Sequence, residues 1–246
     1  MATKEEFLAI IRAALANGRN PDAAPTPAHT SSTQGQGDLA QRAANLREDL
    51  VPKKDALLAQ LKKSAGLQEW KMLVVASDAE ARDAVINIAT GLNAQRIVRT
   101  AHLAVERLDL DEAFWAKSIE CVLLASGAQQ PDPAHLQEIA AQADIGVTGV
   151  DYLIAETASA SLVSREGMSR MASLLPPVHI AVAHMDQVVE SLEDLLTLRE
   201  AELGGESSRN WYMNLVSGPS KTADIEQTIV IGVHGPGEVH LVLVTG

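Results

Sequence analysis

A polar decapeptide near the carboxyl end of the chain carries residue types that could bind an anion. Residues 217–226 read Ser-Gly-Pro-Ser-Lys-Thr-Ala-Asp-Ile-Glu between two apolar runs. Hydroxyls and an ammonium can hold a carboxylate or phosphate, and carboxylates can transfer protons. The candidate anion ligands are Ser217, Gly218, Ser220, Lys221 and Thr222, and the candidate proton-transfer groups are Asp224 and Glu226.

Two interpretations of this decapeptide stay open. Ser220 or Thr222 could cap the start of a helix, whose free backbone N–H groups attract anions. Alternatively, Ser-Gly-Pro-Ser is an ordinary turn, and the two acids favour the positive end of a short helix. The stretch is not a P-loop, because Ser220 and Leu215 stand where that motif has glycines.

A second polar segment, Glu-Thr-Ala-Ser at residues 156–159, separates two strand-like runs. Glu156 could act as a general base or simply cap a turn, and Thr157 and Ser159 could orient a ligand. His234, beside a Gly-Pro-Gly turn, could reach the same pocket as Lys221 or serve only as a loop histidine. Serine hydrolysis is disfavoured, because the chain has no Gly-x-Ser-x-Gly elbow.

Composition limits the classes of function that are open to this chain. The 246 residues are 46% hydrophobic but only 3% aromatic, so a core of Ala, Val, Leu and Ile is expected, as in helices packed on a sheet. The formal charge of −12 argues against nucleic acid or an anionic membrane surface as the main partner. With no leader-like segment and no apolar run long enough for a membrane span, we expect a cytoplasmic location.

The single cysteine excludes thiolate-based sites. Cys121 cannot supply a disulfide framework, a zinc site or an iron–sulfur cluster, and it lies in a run typical of a buried strand. We predict no metal site, and any redox metal should belong to a partner.

Strand and helix patterns alternate three times between residues 71 and 143. That order predicts right-handed crossovers and a mainly parallel or mixed sheet in a three-layer α/β/α arrangement. Before it, residues 38–65 predict two helices broken near Val51 and Pro52. Further strands are predicted at 178–184 and 238–244.

The first 37 residues differ in sequence pattern from the rest of the chain. Apolar residues at helical spacing predict an amphipathic helix over 3–17, followed by a polar, proline- and glycine-marked linker over 18–37. The α/β domain should therefore cover residues 38–246. The helix could dock on its own domain or on a neighbour, so a homo-oligomer is possible.

The decapeptide, Gly-Val-His-Gly-Pro at 232–236 and Leu-Leu-Pro-Pro-Val-His-Ile at 174–180 together resemble the lactate-utilisation protein C family, whose members carry an LUD domain. The resemblance covers about residues 40–246. It implies a fold similar to the sugar-phosphate isomerase and coenzyme A transferase superfamily. It also implies a bacterial three-component system that oxidises L-lactate to pyruvate, in which the other subunits bear the iron–sulfur clusters.

From this resemblance we expect a non-redox subunit that binds a small carboxylate or phosphate-bearing ligand and docks on iron–sulfur partners. Two alternatives stay open: a free-standing coenzyme A transferase-like or isomerase-like enzyme with Glu156 as its catalytic carboxylate, and a structural or regulatory module. One departure matters, because Ala158 stands where the family's motif has glycine. A turn that requires positive φ there would be hindered by its Cβ.

Overall fold

The computed structural model describes residues 33–125, 132–203, 212–225 and 228–246. The helix predicted over 3–17 and most of the predicted linker lie outside these residues. Residues 33–37 are helical, so the linker prediction is wrong at its carboxyl end. The two glycines in this stretch disfavour helix, but a helix already formed by the following residues extends without a new nucleation step.

The predicted break between two amino-terminal helices is confirmed. A 3-10 turn over Val51–Lys53 separates them, and Pro52 lies in it, where a missing N–H is tolerated. The helices are α1 (Thr33–Leu50), α2 (Lys54–Leu67), α3 (Asp78–Gly91), α4 (Leu103–Glu106), α5 (Leu110–Trp115), α6 (Pro133–Ala141), α7 (Met171–Leu174) and α8 (Leu192–Glu202).

Six parallel strands form the central sheet, in the order β1-β12-β7-β4-β2-β3. The predicted parallel sheet is therefore confirmed, and the carboxyl-terminal strand lies inside it rather than at an edge. The strands of the chain are β1 (Lys71–Val75), β2 (Arg96–Arg99), β3 (Glu120–Leu123), β4 (Ile145–Gly149), β5 (Tyr152–Ile154), β6 (Ser159–Val163), β7 (Val178–His184), β8 (Val188–Val189), β9 (Met213–Val216), β10 (Lys221–Ile225), β11 (Thr228–Ile231) and β12 (Glu238–Val244).

Helices α3, α4 and α5 cover one face of the central sheet. Ala81, Val85 and Ala89 recur along one side of α3 and pack with Val242 and Val244 of β12 in one buried cluster. Small side chains on the helix allow close contact with the β-branched strand, as the low aromatic content predicts. This layer is the first of the expected α/β/α arrangement.

The opposite face carries helices and, in addition, a second sheet that the sequence did not predict. Strands β8, β5, β6 and β9 form it in that order, with one face toward α2 and the central sheet. Its other face packs on α1 and α8 through Ile154, Val189 and Leu195. Alternate residues of β5 and β8 thus serve two cores, which is the period-two pattern of a strand. None of the helices in the described ranges is long and apolar enough to cross a membrane.

His179, fully buried in β7, makes stability depend on pH. Its Nε2 lies 2.8 Å from Thr148 Oγ1, whereas its Nδ1 has no hydrogen-bond partner in the described part of the chain. Burial, with a smaller contribution from His240, lowers the pKa of His179 to about 4. The folded protein therefore resists a proton that the unfolded chain accepts below its ordinary pKa of about 6.5.

We predict that the free energy of unfolding falls by about 2 kcal/mol from this residue as pH drops from 7.5 to 5. The sign follows because the unfolded state binds more protons across that interval. Urea denaturation of the wild type and His179→Gln at both pH values checks this. The variant should lose less stability than the wild type between the two; an equal loss in both would contradict the prediction.

Candidate functional site

Three hydroxyls meet beside the turn between β5 and β6. Ser159 Oγ lies 2.7 Å from Thr157 Oγ1 and 2.6 Å from Ser217 Oγ. Ser159 is buried, whereas the other two residues are exposed. The structure thus brings together hydroxyls from both polar segments that the sequence singled out.

This hydroxyl cluster (Thr157, Ser159 and Ser217) has one proton to spare. Each hydroxyl can donate once, and a chain of three oxygens uses two donations internally. If the donations run in one direction along the chain, the exposed hydroxyl at its end keeps a proton for an outside acceptor; if both ends donate to Ser159, the spare proton is on Ser159. A carboxylate oxygen is such an acceptor, and hydrogen bonds to a charged acceptor are the stronger kind.

Residues 68–70, which connect α2 to β1, contact the two turns that carry the hydroxyl cluster. The indole Nε1 of Trp70 donates to the carbonyl of Ala158 at 2.9 Å, which fixes the turn that carries Thr157 and Ser159. The backbone of Gly218 lies against the carbonyl of Gln68. Two turns distant in sequence are therefore held against the same three residues.

Sequence reasoning missed this connection. A usable signal was present, because Trp70 immediately precedes an apolar strand, and a buried indole needs an acceptor for its N–H. Glu69 was missed as well; its carboxylate lies 2.9 Å from Lys221 Nζ. No motif marks an acid that comes from a helix–strand connection.

The pair between Lys221 and Glu69 is accessible from solvent. The side chains are 38% and 55% exposed, so the pair contributes little to stability. An incoming anion could compete with Glu69 for the ammonium. Lys221 thus adds a displaceable positive charge to the same connection that supports the hydroxyl cluster.

The predicted helix start at Ser220 or Thr222 is wrong. Lys221–Ile225 is strand β10, which pairs antiparallel with β11, and Thr222 lies opposite Val230. A partner strand rich in β-branched residues outweighs the capping potential of two hydroxyls. The backbone therefore enters a hairpin instead of presenting free N–H groups to an anion.

The alternative turn interpretation holds for residues 217–220. Gly218 takes φ +97°, a conformation that suits glycine. Ser220 is held through its backbone, since its N–H donates to the Pro236 carbonyl at 2.8 Å and its carbonyl accepts from Gly232 at 2.9 Å. Ser220 thus ties this turn to the one between β11 and β12.

The structure does not place the predicted proton-transfer residues or His234 in contact with the hydroxyl cluster within the described ranges. Glu156 is exposed, and its recorded contact is a backbone N–H to the Glu190 carbonyl. His234 is exposed in the turn before β12, with no contact to the cluster recorded in the described ranges. Asp224 lies in β10 with its side chain undescribed, and Glu226 lies outside the described residues. Among the described side chains, Glu69 is the carboxylate that pairs with Lys221.

Ala158 adopts the conformation that the family's glycine would adopt freely. Its φ is +49°, and the residue is fully buried. The left-handed conformation costs an alanine roughly 1 kcal/mol, which the indole hydrogen bond to its carbonyl helps to offset. The expected need for positive φ is therefore present, and the alanine accommodates it.

The cluster lies beside the amino ends of β1 and β12. Ligands in open α/β sheets usually bind at the carboxyl ends of the strands. At that edge His184 Nε2 lies 2.7 Å from Asp78 Oδ1 and ties the exit of β7 to the start of α3. The candidate site is thus built by connections and hairpin turns rather than by the strand exits.

Neither metal ligation nor thiol chemistry finds support in the described residues. They contain no group of three or more His, Cys, Asp or Glu side chains that could hold a metal ion. Burial raises the pKa of Cys121 to about 12, with Asp111 adding to the shift. The thiol therefore stays protonated at neutral pH and is a poor nucleophile.

Comparison with known proteins places these turns within a family. Residues 58–244 match a family model described as the LUD domain. Lactate utilization protein C of Halalkalibacterium halodurans is 42% identical over 104 residues, which are 42% of this chain and 44% of the relative. The Exiguobacterium protein of the same name is 40% identical over 116 residues, 46% and 49% of the two chains. The chain thus matches less than half the length of these relatives.

More distant similarities cover more of the chain. The uncharacterized electron transport protein YkgF of Escherichia coli is 22% identical over 281 positions, 96% of this chain and 58% of the relative. The crystal structure of a DUF162 family protein from Deinococcus radiodurans superposes with a TM-score of 0.55 at 22% identity, over 78% of this chain and 98% of the other. That likeness confirms the α/β fold.

Proposed function

The chain belongs to the LUD domain family, and we propose that it is a component of a lactate utilization system that binds a small carboxylate and leaves electron transfer to other proteins. The names of the two relatives at 40% identity or above support a role in lactate utilization. The name of the Escherichia coli relative links a similar chain to electron transport.

One observation carries the ligand part of the proposal: the hydroxyl cluster keeps a spare proton. A carboxylate oxygen of lactate or pyruvate would accept that proton from Thr157 or Ser217. The second oxygen would compete with Glu69 for the Lys221 ammonium. Ser159 would act as a positioning residue, because it is buried and fixes both exposed hydroxyls.

The redox part follows from chemistry that this sequence lacks. Conversion of L-lactate to pyruvate releases two electrons and two protons, so an electron acceptor is required. One cysteine in 246 residues cannot ligate an iron–sulfur cluster, which is usually held by four thiolates. The resemblance to the lactate-utilisation protein C family implies partners that carry iron–sulfur clusters, and we therefore assign the electron acceptor to such partners and ligand binding to this chain.

The first test measures binding of L-lactate and pyruvate by titration calorimetry. Wild-type protein should bind one of them saturably, and Ser159→Ala should bind it about tenfold more weakly, because Thr157 and Ser217 lose the hydroxyl that positions them. Ser118→Ala, an exposed serine before β3, is the matched control and should bind like the wild type. If neither compound binds the wild type, the ligand assignment is wrong.

Glu69→Gln should tighten binding of the same carboxylate by about threefold to tenfold. The change removes a negative charge that both repels the ligand and occupies Lys221. Titration at low and high salt checks the cause, because an electrostatic gain shrinks as ionic strength rises. Glu112→Gln, an exposed acid on α5, should leave the affinity unchanged; an equal gain there would indicate a general charge effect instead.

Activity and assembly test the redox assignment. The purified chain should not turn over L-lactate with an artificial electron acceptor, and it should co-purify from its native host with proteins that contain iron–sulfur clusters. Turnover by the chain alone would contradict the division of labour. Binding without any such partner would leave the ligand site intact but refute the partner assignment.

A further inference from the structure

A cavity of about 300 Å³ lies at the amino end of α2. It opens where α1, the 3-10 turn and α2 form an elbow over the second sheet, with Leu57 of α2 facing Val188 and Val189 of β8. The helix α2 has 14 residues and is therefore about 20 Å long, so the cavity and the hydroxyl cluster lie at opposite ends of it. It belongs to no site described above.

The interior of this elbow cavity is apolar and of ligand size. Leu57, Val188 and Val189 form its floor and are at most 3% exposed, and the apolar lining residues that solvent reaches are Leu50 and Val51, of which Val51 is 62% exposed. Pockets that bind small molecules typically measure about 300–1,000 Å³ and are lined mainly by apolar side chains. An apolar body of modest size thus fits the space.

The rim of the cavity carries a lysine that can bind a negatively charged group. Its lining groups with full charge are Arg47, Lys54 and Asp186, and Glu202, which contacts the lining residues Arg47 and Tyr152, brings the local sum to zero. Arg47 lies 3.8 Å from Glu202, a long contact between largely exposed groups. Lys54 has no ion-pair partner among the described residues, so its ammonium is available to an anion.

The tyrosine at the rim does not supply a second charge. Tyr152 donates its hydroxyl to Glu202, and burial together with that carboxylate raises the pKa of Tyr152 to about 12. The phenol therefore stays protonated and neutral. Lys54, assisted by Arg47, is left as the group that recognises a negative head.

We propose that the elbow cavity binds an amphipathic monocarboxylate, with its hydrocarbon body against Leu50 and Val51, above the floor formed by Leu57, Val188 and Val189, and its carboxylate at Lys54 and Arg47. This site is separate from the one proposed for lactate or pyruvate. Those ligands have too little apolar surface to benefit from the cavity.

Titration of full-length protein with butanoate, hexanoate and octanoate tests the proposal. Each added methylene should tighten binding about threefold to fourfold until the cavity is filled, the increment for burying one methylene group. Octylammonium should bind at least tenfold more weakly than octanoate. Absence of saturable octanoate binding, or equal affinity for octylammonium, would overturn the proposal.

Two lysines of the same helix give a matched pair of variants. Lys54→Ala should weaken octanoate binding about fivefold to tenfold, whereas Lys62→Ala, exposed on α2 away from the cavity, should not change it. Equal thermal midpoints for both variants and the wild type establish that folding is intact. If Lys54→Ala leaves octanoate affinity unchanged, the carboxylate does not bind at this rim and the assignment fails.

A final comparison separates this site from the hydroxyl cluster. Ser159→Ala should leave octanoate binding unchanged, and Lys54→Ala should leave lactate or pyruvate binding unchanged. Loss of octanoate binding in Ser159→Ala would place the fatty acid at the hydroxyl cluster and overturn the elbow site. The lactate result bears only on the proposed function.

Discussion

Trp70→Ala is expected to lower the free energy of unfolding by about 3–5 kcal/mol, the usual cost of truncating a buried tryptophan. The side chain is 5% exposed, packs in one of the two largest buried clusters and donates to the Ala158 carbonyl. Its loss leaves a cavity and an unpaired carbonyl in the turn that carries Ser159. Urea denaturation measures the change, and carboxylate titration should show weaker binding as well.

Trp115→Ala is the matched control. That side chain is 82% exposed, so its removal should change the free energy of unfolding by less than about 0.5 kcal/mol. Trp70→Phe separates packing from hydrogen bonding: it keeps a ring but not the N–H, and should cost about 1–3 kcal/mol. Similar stabilities for Trp70→Ala and Trp115→Ala would show that the connection between α2 and β1 does not hold the turn.

Gly218→Ala is expected to cost about 3–4 kcal/mol and to abolish measurable carboxylate binding. At φ +97° a side chain strains the backbone, and its Cβ would lie 2.1 Å from the carbonyl oxygen of Gln68. Because backbone cannot move aside as a flexible side chain can, the turn at 217–220 must shift. Ser217 would then leave Ser159, and the hydroxyl cluster would be broken.

Gly66→Ala is expected to raise the free energy of unfolding, whereas Gly218→Ala lowers it. Gly66 lies in α2 with nothing within 4 Å of an added Cβ, so alanine should stabilise the protein by about 0.5–1 kcal/mol. Chemical denaturation of both variants gives the comparison. A Gly218→Ala protein as stable as the wild type would contradict the close packing of this turn on residue 68.

The regular elements were predictable because their signals are local. Mainly apolar runs at 71–75 and 238–244 indicate parallel strands, although β1 lies at the edge of the sheet and is partly exposed, and Pro52 marks the break between α1 and α2. The types of the candidate residues were also readable: Thr157, Ser159 and Ser217 stand out as hydroxyls in polar segments between strands.

The predictions that failed concern features that depend on contacts between segments distant in the sequence. Lys221–Ile225 becomes a strand because β11 pairs with it, a tertiary effect that outweighs local capping preference. The pairing of Lys221 with Glu69 joins residues 152 positions apart, and no single-sequence pattern predicts it. The second sheet was missed for the same reason, because β8 has only two residues and is a strand only by its pairing with β5.

The position of β12 has a consequence for how the protein is made. Within the described chain, β1 joins the central sheet through β12 alone, and β12 also pairs with β7 along its whole length. An emerging polypeptide therefore cannot complete this sheet until β12 has left the ribosome, and contacts of such long sequence separation form slowly. Until then β1 and β7 both lack a neighbour, so chaperone binding during synthesis should concentrate on these two apolar segments.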